Sequence, residues 1–235
     1  WHDPGSSLES PKPYIINATT TVLNQVGQFT EMYVTENTTS SAYGGKNGHT
    51  IYILPGKTLT FTGDFNFSTQ NGRIFIGENA NLIVNGKLET ANNNKIYNRS
   101  NIQVTSLVSK GSTLLYNQGN ISSDYIELGT GGVKLFNYNK LACNNLKATG
   151  SAHVYNYAEV EVTGDTNSAS PNVWYNSGTW TTNTFQTVAK KAVFYNGCKL
   201  IVTDKLSLNQ ARFINDAGSY ILAENLETVN TRIDM

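Results

Sequence analysis

Charge is scarce in this chain: 14% of its 235 residues are Asp, Glu, Lys or Arg, and 17 basic groups balance 17 acidic ones to a net charge of zero. A chain without a basic surplus lacks the main driving force for holding a polyphosphate, so nucleic acid is not expected as a general partner. Cysteine is nearly missing. Cys143 and Cys198 are too few for a disulfide framework and stand in no zinc-ligand spacing. No apolar run approaches the roughly 20 residues that a bilayer-crossing helix needs, so no transmembrane segment is expected, and the start at Trp1 carries no signal-like run. What takes the place of charge is 30 Asn and 27 Thr, short hydrogen-bonding side chains that disfavour helix interiors. That composition argues against an all-helical fold.

One phrase recurs along the chain: Ile96-Tyr97-Asn98, Leu115-Tyr116-Asn117, Leu135-Phe136-Asn137, Val154-Tyr155-Asn156, Trp174-Tyr175-Asn176, Phe194-Tyr195-Asn196 and the variant Phe213-Ile214-Asn215. Successive Asn positions lie 19 or 20 residues apart, a repeat length in the solenoid range. Upstream, Thr50 to Phe65 aligns without gaps on Arg73 to Leu88, so Tyr52 and Phe75 continue the aromatic slot with a longer period of 23.

Within each copy the alternation has period two, as in a strand. The residue two before each Asn is always large and apolar, and a small residue often stands four before it, as at Ala152, Ala192 and Ala211. Another small residue commonly follows two after the Asn (Gly119, Ala158, Gly178), where a tight corner suits a minimal side chain. Apolar residues return four and often six after it (Ile102 and Val104, Leu141 and Cys143, Leu200 and Val202), and a third apolar slot holds Leu107, Ile126, Leu146, Phe185, Leu206 and Leu226. Three short strands per 20 residues, each with one inward face, describe one turn of a parallel β-helix, because so short a repeat buries its face only against its neighbours.

The expected fold is therefore all-β, a single-stranded, right-handed, three-sided parallel β-helix of about 20 residues per turn and roughly nine turns; the irregular period argues against the strict six-residue repeat of left-handed forms. Residues 50–235 form the helix. Residues 1–49 form an extended lead-in and either a cap or a degenerate first turn, the run from Thr21 to Val34 being open to both readings. The repeat still runs at Ile221 to Leu226, so the helix is expected to be cut short at its C-terminal end, with the natural chain continuing into a further domain.

Parity sends the Asn of each copy inward. Asn98, Asn117, Asn137, Asn156, Asn176, Asn196 and Asn215 are expected to form a structural amide ladder along the rod. The residues before them, Tyr97, Tyr116, Phe136, Tyr155, Tyr175 and Tyr195, then point outward as a stripe of rings. Three readings of that stripe stand open: cross-strand stacking that stabilises the sheet, cover by another segment or domain, or a platform for sugar rings. A bulge at the corner would exchange the two slots.

No catalytic constellation emerges. Asp64, Asp124, Asp165, Asp204 and Asp216 are isolated, Glu159 and Glu161 alternate with Val160 and Val162 as a solvated face does, and His2, His49 and His153 fall in unrelated contexts. No metal or cofactor site and no phosphate-binding glycine loop is indicated. The Asn residues nearest the two cysteines lie three turns apart, about 14 Å at the strand spacing, beyond the reach of a disulfide. Both thiols are expected free, Cys143 as a small core residue.

The Tyr-Asn turns, together with Thr50 to Leu88, the opening Trp1-His2-Asp3-Pro4-Gly5 and Lys12-Pro13-Tyr14, resemble the central region of Bacteroidetes surface proteins that carry a C-terminal LruC domain. The resemblance covers most of the chain and implies a secreted or lipoprotein-anchored protein at the bacterial cell surface, with no activity and no functional residue to carry over. The expected function is non-enzymatic: a rigid spacer or adhesion module that meets polysaccharide or another surface protein through the stripe. The alternative is a polysaccharide lyase or glycosidase of the β-helix type, whose carboxylates would converge from different turns.

Overall fold

The computed structural model describes residues 14–16, 20–23, 31–188 and 191–234, and among them there is no helix. The chain winds into a parallel β-solenoid with about 20 residues per turn. Every turn delivers one short strand to a twelve-stranded parallel sheet, which runs from Tyr14–Ile16 through Lys95–Asn98 to Arg232–Asp234. A second parallel sheet receives the longer strands, from Thr20–Leu23 through Asn101–Ser109 to Tyr220–Val229.

The short strands pair in strict register, so that Ile96 faces Leu115, Tyr97 faces Tyr116 and Asn98 faces Asn117. This is why equivalent repeat positions stack into columns. In Lys95–Asn98 the pattern is half-buried, buried, half-buried, buried: the large apolar residue and the Asn face in, and the residues before each of them face out.

The sequence predicts three short strands per turn; the structure joins the second and third into one bent strand. In Asn101–Ser109 the buried side chains are Ile102, Val104, Leu107 and Ser109. Their spacing changes from two to three after Val104, and the pairing with the preceding long strand shifts between Val104 and Ser106. The strand turns a corner there while its ladder continues, which yields three inward runs per turn from two sheets. One turn keeps the halves apart, as Thr58–Phe61 and Phe65–Phe67, and both pair with Asn81–Thr90.

Of the run from Thr21 to Val34, left open between a cap and a degenerate turn, Thr20–Leu23 pairs in parallel with Thr38–Tyr43, and Glu31–Val34 pairs with Thr50–Ile53, Tyr33 opposite Tyr52. Val26 and Phe29, and the expected lead-in up to Pro13, lie outside the described residues. At the other end Leu226 departs from its expected inward burial: it is 58% exposed, because among the described residues no strand of the long-strand sheet stacks beyond Tyr220–Val229.

The core is one continuous apolar column. Among its largest members, Trp174, Trp180, Phe185 and Phe194 meet edge to face, with Trp174 and Trp180 centred 5.4 Å apart at 76°. A fully buried ring of this size stabilises by on the order of 2–3 kcal/mol. The Trp174 indole N–H is satisfied by Ser168 Oγ at 3.1 Å, a hydroxyl supplied from the long-strand sheet.

Candidate binding face

The Asn residues form the expected ladder. Asn98 Nδ2 donates to Asn117 Oδ1 at 2.7 Å, and the chain of donations continues through Asn137, Asn156, Asn176 and Asn196 to Asn215 at 2.7 to 2.8 Å. The second N–H of each amide from Asn98 to Asn196 reaches a backbone carbonyl of the next turn, for example Asn156 to Thr179 O at 3.1 Å, whereas Asn215 donates to Ser219 O in its own turn. With both donors and the acceptor engaged, a buried amide costs little. Asn98 through Asn196 are buried at 0 to 1% exposure, and Asn215 is half-buried.

A second ladder was not anticipated. Asn120 donates to Asn101 at 3.1 Å and Asn101 to Asn81 at 3.0 Å, on the outside of the corner and in the opposite direction. The available signal was an Asn three residues after the inner one in two consecutive copies, Asn101 and Asn120.

The corner glycines follow from the stacking of turns. A Cβ built on Gly119 would overlap the Ser100 carbonyl, and one on Gly178 would overlap the Ala158 carbonyl. The backbones of consecutive corners thus lie in contact, and no side chain fits between them.

The aromatic residues lie on the outer side of the short-strand sheet, all half-buried. The column is longer than the repeat phrase implies: Tyr33, Tyr52 and Phe75 precede Tyr97, Tyr116, Phe136, Tyr155, Tyr175 and Tyr195. Phe75 and Tyr97 are centred 4.8 Å apart with planes at 4°, and Phe136 and Tyr155 4.7 Å apart at 5°. Those separations match the strand spacing, so the rings are displaced along the rod axis. Carbon atoms do not pack closer than about 3.5 Å, which places the ring normals of the parallel pairs within about 45° of that axis. The rings in these stretches therefore turn much of their faces to one another and present edges and hydroxyls to solvent. The stack breaks at Tyr97/Tyr116 and Tyr116/Phe136, where the planes meet at 49° and 41°, and again at Tyr155/Tyr175 and Tyr175/Tyr195, at 44° and 43°.

Two further rings widen the column. Tyr138 and Tyr157, 42% and 41% exposed, stack on each other at 4.8 Å and 10° and touch Tyr116 and Tyr175. Desolvation against these neighbours raises both hydroxyl pKa values above the ordinary tyrosine range. Their signal in the sequence is a Tyr directly after the ladder Asn in two consecutive copies. Toward the N-terminal end, a groove of about 430 Å³ lies along Tyr52, Phe75, Tyr97 and Tyr116, bounded by Leu54, Pro55, Arg99 and Gln118.

The carboxylates are mostly engaged one by one. Glu159 and Glu161 both pair with Lys140, at 3.1 and 2.7 Å. Asp64 accepts the Lys87 backbone N–H at 2.8 Å, and Asp165 accepts the Thr184 hydroxyl at 2.6 Å. Asp124 and Glu161 line one shallow depression of about 190 Å³ on the long-strand side, where Asn144 reaches Asp124 at 3.4 Å. Among the described residues no group of three or more His, Cys, Asp and Glu could hold a metal ion. His49 is buried against the Tyr43 hydroxyl at 3.0 Å, whereas His153 lies beside Tyr155 on the aromatic face, Nδ1 to hydroxyl 3.4 Å. His2 is outside the described residues.

Both cysteines are free thiols, Cys143 buried and Cys198 exposed. Burial pushes the Cys143 thiol up to about 12, which leaves it protonated and inert at neutral pH. No helix among the described residues is long and apolar enough to cross a membrane. No family model, no curated protein and no solved structure matches this chain.

Proposed function

We propose that this chain is a non-enzymatic binding module: a rigid β-solenoid displayed at a bacterial cell surface, which meets polysaccharide or a surface protein through its aromatic face and also serves as a spacer. The observation that carries the reading is the column of nine half-buried rings, widened by Tyr138 and Tyr157 and bordered by the groove along Tyr52 to Tyr116. An aromatic surface of this extent, left open to solvent, is characteristic of interaction sites. A solenoid suits the role because each turn is supported by its neighbours, so the face keeps its shape over its whole length.

The test is retention of the protein on a panel of plant and host polysaccharides, beside a Tyr155→Ala/Tyr175→Ala variant and with analysis of each glycan afterwards. Retention that falls in the variant with the glycan intact is the expected result. Shortened glycan would instead favour a lyase or glycosidase, with the depression at Asp124 and Glu161 as its place to look. Unchanged retention in the variant would remove those two rings from the contact.

A further inference from the structure

Charge on this neutral protein is sorted by face. The outward side chains of the short strands from Thr50–Ile53 to Val193–Asn196 include no Asp or Glu. They do include Arg73, Lys95 and Lys134, in the column next to the rings, and Arg99 stands at the corner on the other side of the ring column, bounding the groove. Arg73 and Lys95 are register partners on adjacent strands, and Lys134 lies two strands beyond Lys95, so the four cations span about 14 Å of the rod at the strand spacing.

None of the four takes part in an ion pair among the described residues. The pairs lie elsewhere: Lys87 on a long strand and Lys110 just after one hold Glu89, Lys140 holds Glu159 and Glu161 and Lys205 holds Glu227 on the long strands, and Lys57 meets Glu36 between turns that follow short strands. On the short strands, pairing is confined to Arg212 and Arg232 with Asp234 at the last rungs. Two acids border this stretch: Glu31, in the same outward column two strands before Arg73 and held by the Tyr33 hydroxyl at 3.1 Å, and Glu78, in the turn after Arg73–Ile76; neither forms an ion pair with any of the four cations.

The rings add to the same preference. An aromatic ring is negative on its faces and positive at its rim, and the parallel pairs of this column turn rims and phenolic hydroxyls outward. Rims, hydroxyl donors, guanidinium groups and ammonium groups all favour oxygen atoms that carry negative charge. Nucleic acid fits less well, because single strands are held by bases stacking on open ring faces, and the faces of Tyr52, Phe75 and Tyr97 are turned to one another.

We propose that the face formed by Arg73, Lys95, Arg99 and Lys134 with the rings of Tyr52 to Phe136 binds an anionic polysaccharide, one bearing carboxylate or sulfate groups, laid along the rod axis. The inference rests on the binding reading above and narrows its ligand.

Affinity electrophoresis of the whole chain in gels containing polygalacturonate, heparin or neutral dextran tests it, with single-stranded poly-dT as a competitor. Retardation by polygalacturonate or heparin, weakened by salt as exposed charge interactions are, is expected, with little retardation by dextran. An Arg73→Gln/Lys95→Gln/Arg99→Gln/Lys134→Gln variant, shown folded by its circular dichroism, should bind at least tenfold more weakly. A Lys140→Gln/Lys205→Gln control on the other sheet should bind as the parent does. Equal retardation by dextran, or an unaffected quadruple variant, would overturn the anionic assignment and leave the broader binding reading standing. Displacement by poly-dT at lower concentration than by either glycan would overturn the assignment to a polysaccharide. Retardation by none of the glycans would overturn the polysaccharide assignment and leave a surface protein as the partner of the face.

Discussion

Asn156 lies between Asn137 and Asn176 with every hydrogen-bonding position filled: it accepts from Asn137 Nδ2 at 2.8 Å and from the Ala158 N–H at 3.2 Å, and it donates to Asn176 Oδ1 at 2.8 Å and to Thr179 O at 3.1 Å. Replacing it by Leu keeps the volume roughly constant and strands partners on both sides. The expected loss is about 1–3 kcal/mol for the unpaired groups, which at this chain length lowers the melting temperature by roughly 2–12 °C. The comparison is Asn101→Leu in the outer ladder, where water can replace the lost amide and a loss within about 0.5 kcal/mol is expected. Equal shifts in the two thermal melts would contradict the inward assignment of Asn156.

Gly119 makes a steric prediction. Because a Cβ there would overlap the Ser100 carbonyl, Gly119→Ala has to push two stacked corners apart. The gain that Gly→Ala brings by restricting the unfolded chain, about 0.4–1 kcal/mol, is outweighed, and a net destabilisation of more than about 1 kcal/mol is expected. Ser100→Ala keeps the carbonyl and should be close to neutral. Denaturant midpoints of the two variants decide the matter, and an unchanged midpoint for Gly119→Ala would mean that the corners are looser than drawn.

Cys143 and Cys198 should separate chemically. With one thiol buried and one exposed, a disulfide-exchange reagent at pH 8 should titrate one cysteine quickly in the native protein and both after unfolding. The folded pKa of Cys143, pushed up to about 12 by burial, lies above that of an unfolded cysteine, about 8.5. Its contribution to stability is thus complete below about pH 8.5 and is lost as the pH climbs toward 12, since only the unfolded chain can ionise over that interval. Cys143→Val, which places in this slot the residue found at Val104, Val162 and Val202, should flatten that part of the stability profile. A profile identical to the parent's would show that the thiol does not couple to folding.

The repeat phrase makes most of the fold legible in the sequence. A large apolar residue, an aromatic and an Asn at a spacing of 19 or 20 can satisfy burial only if equivalent positions stack, and stacked Asn side chains in a dry interior have few partners except one another. The ladder from Asn98 to Asn215 follows from that. What stayed hidden depended on backbone continuity or on neighbours from other turns. The bend at Val104–Ser106 that merges two predicted strands is a matter of register, for which the alternation gives only a gap of three. The Asn81–Asn101–Asn120 ladder and the Tyr138–Tyr157 pair occupy too few copies to stand out from a chain already rich in Asn and Tyr.

The sequence by itself determined the period, the parity and so the architecture, because a two-residue alternation repeated every 20 residues has few ways to bury its apolar face. Only the tertiary structure decided how the rings are oriented and where the charges gather. Ring orientation depends on the 4.8 Å approach of neighbouring strands, which turns the faces of Phe75 and Tyr97 toward each other. The sorting of charge depends on which side of the rod each turn gives to each sheet, so a chain with no net charge still presents Arg73, Lys95, Arg99 and Lys134 together on and beside a stretch of short strands, from Thr50–Ile53 to Val193–Asn196, that carries no Asp or Glu.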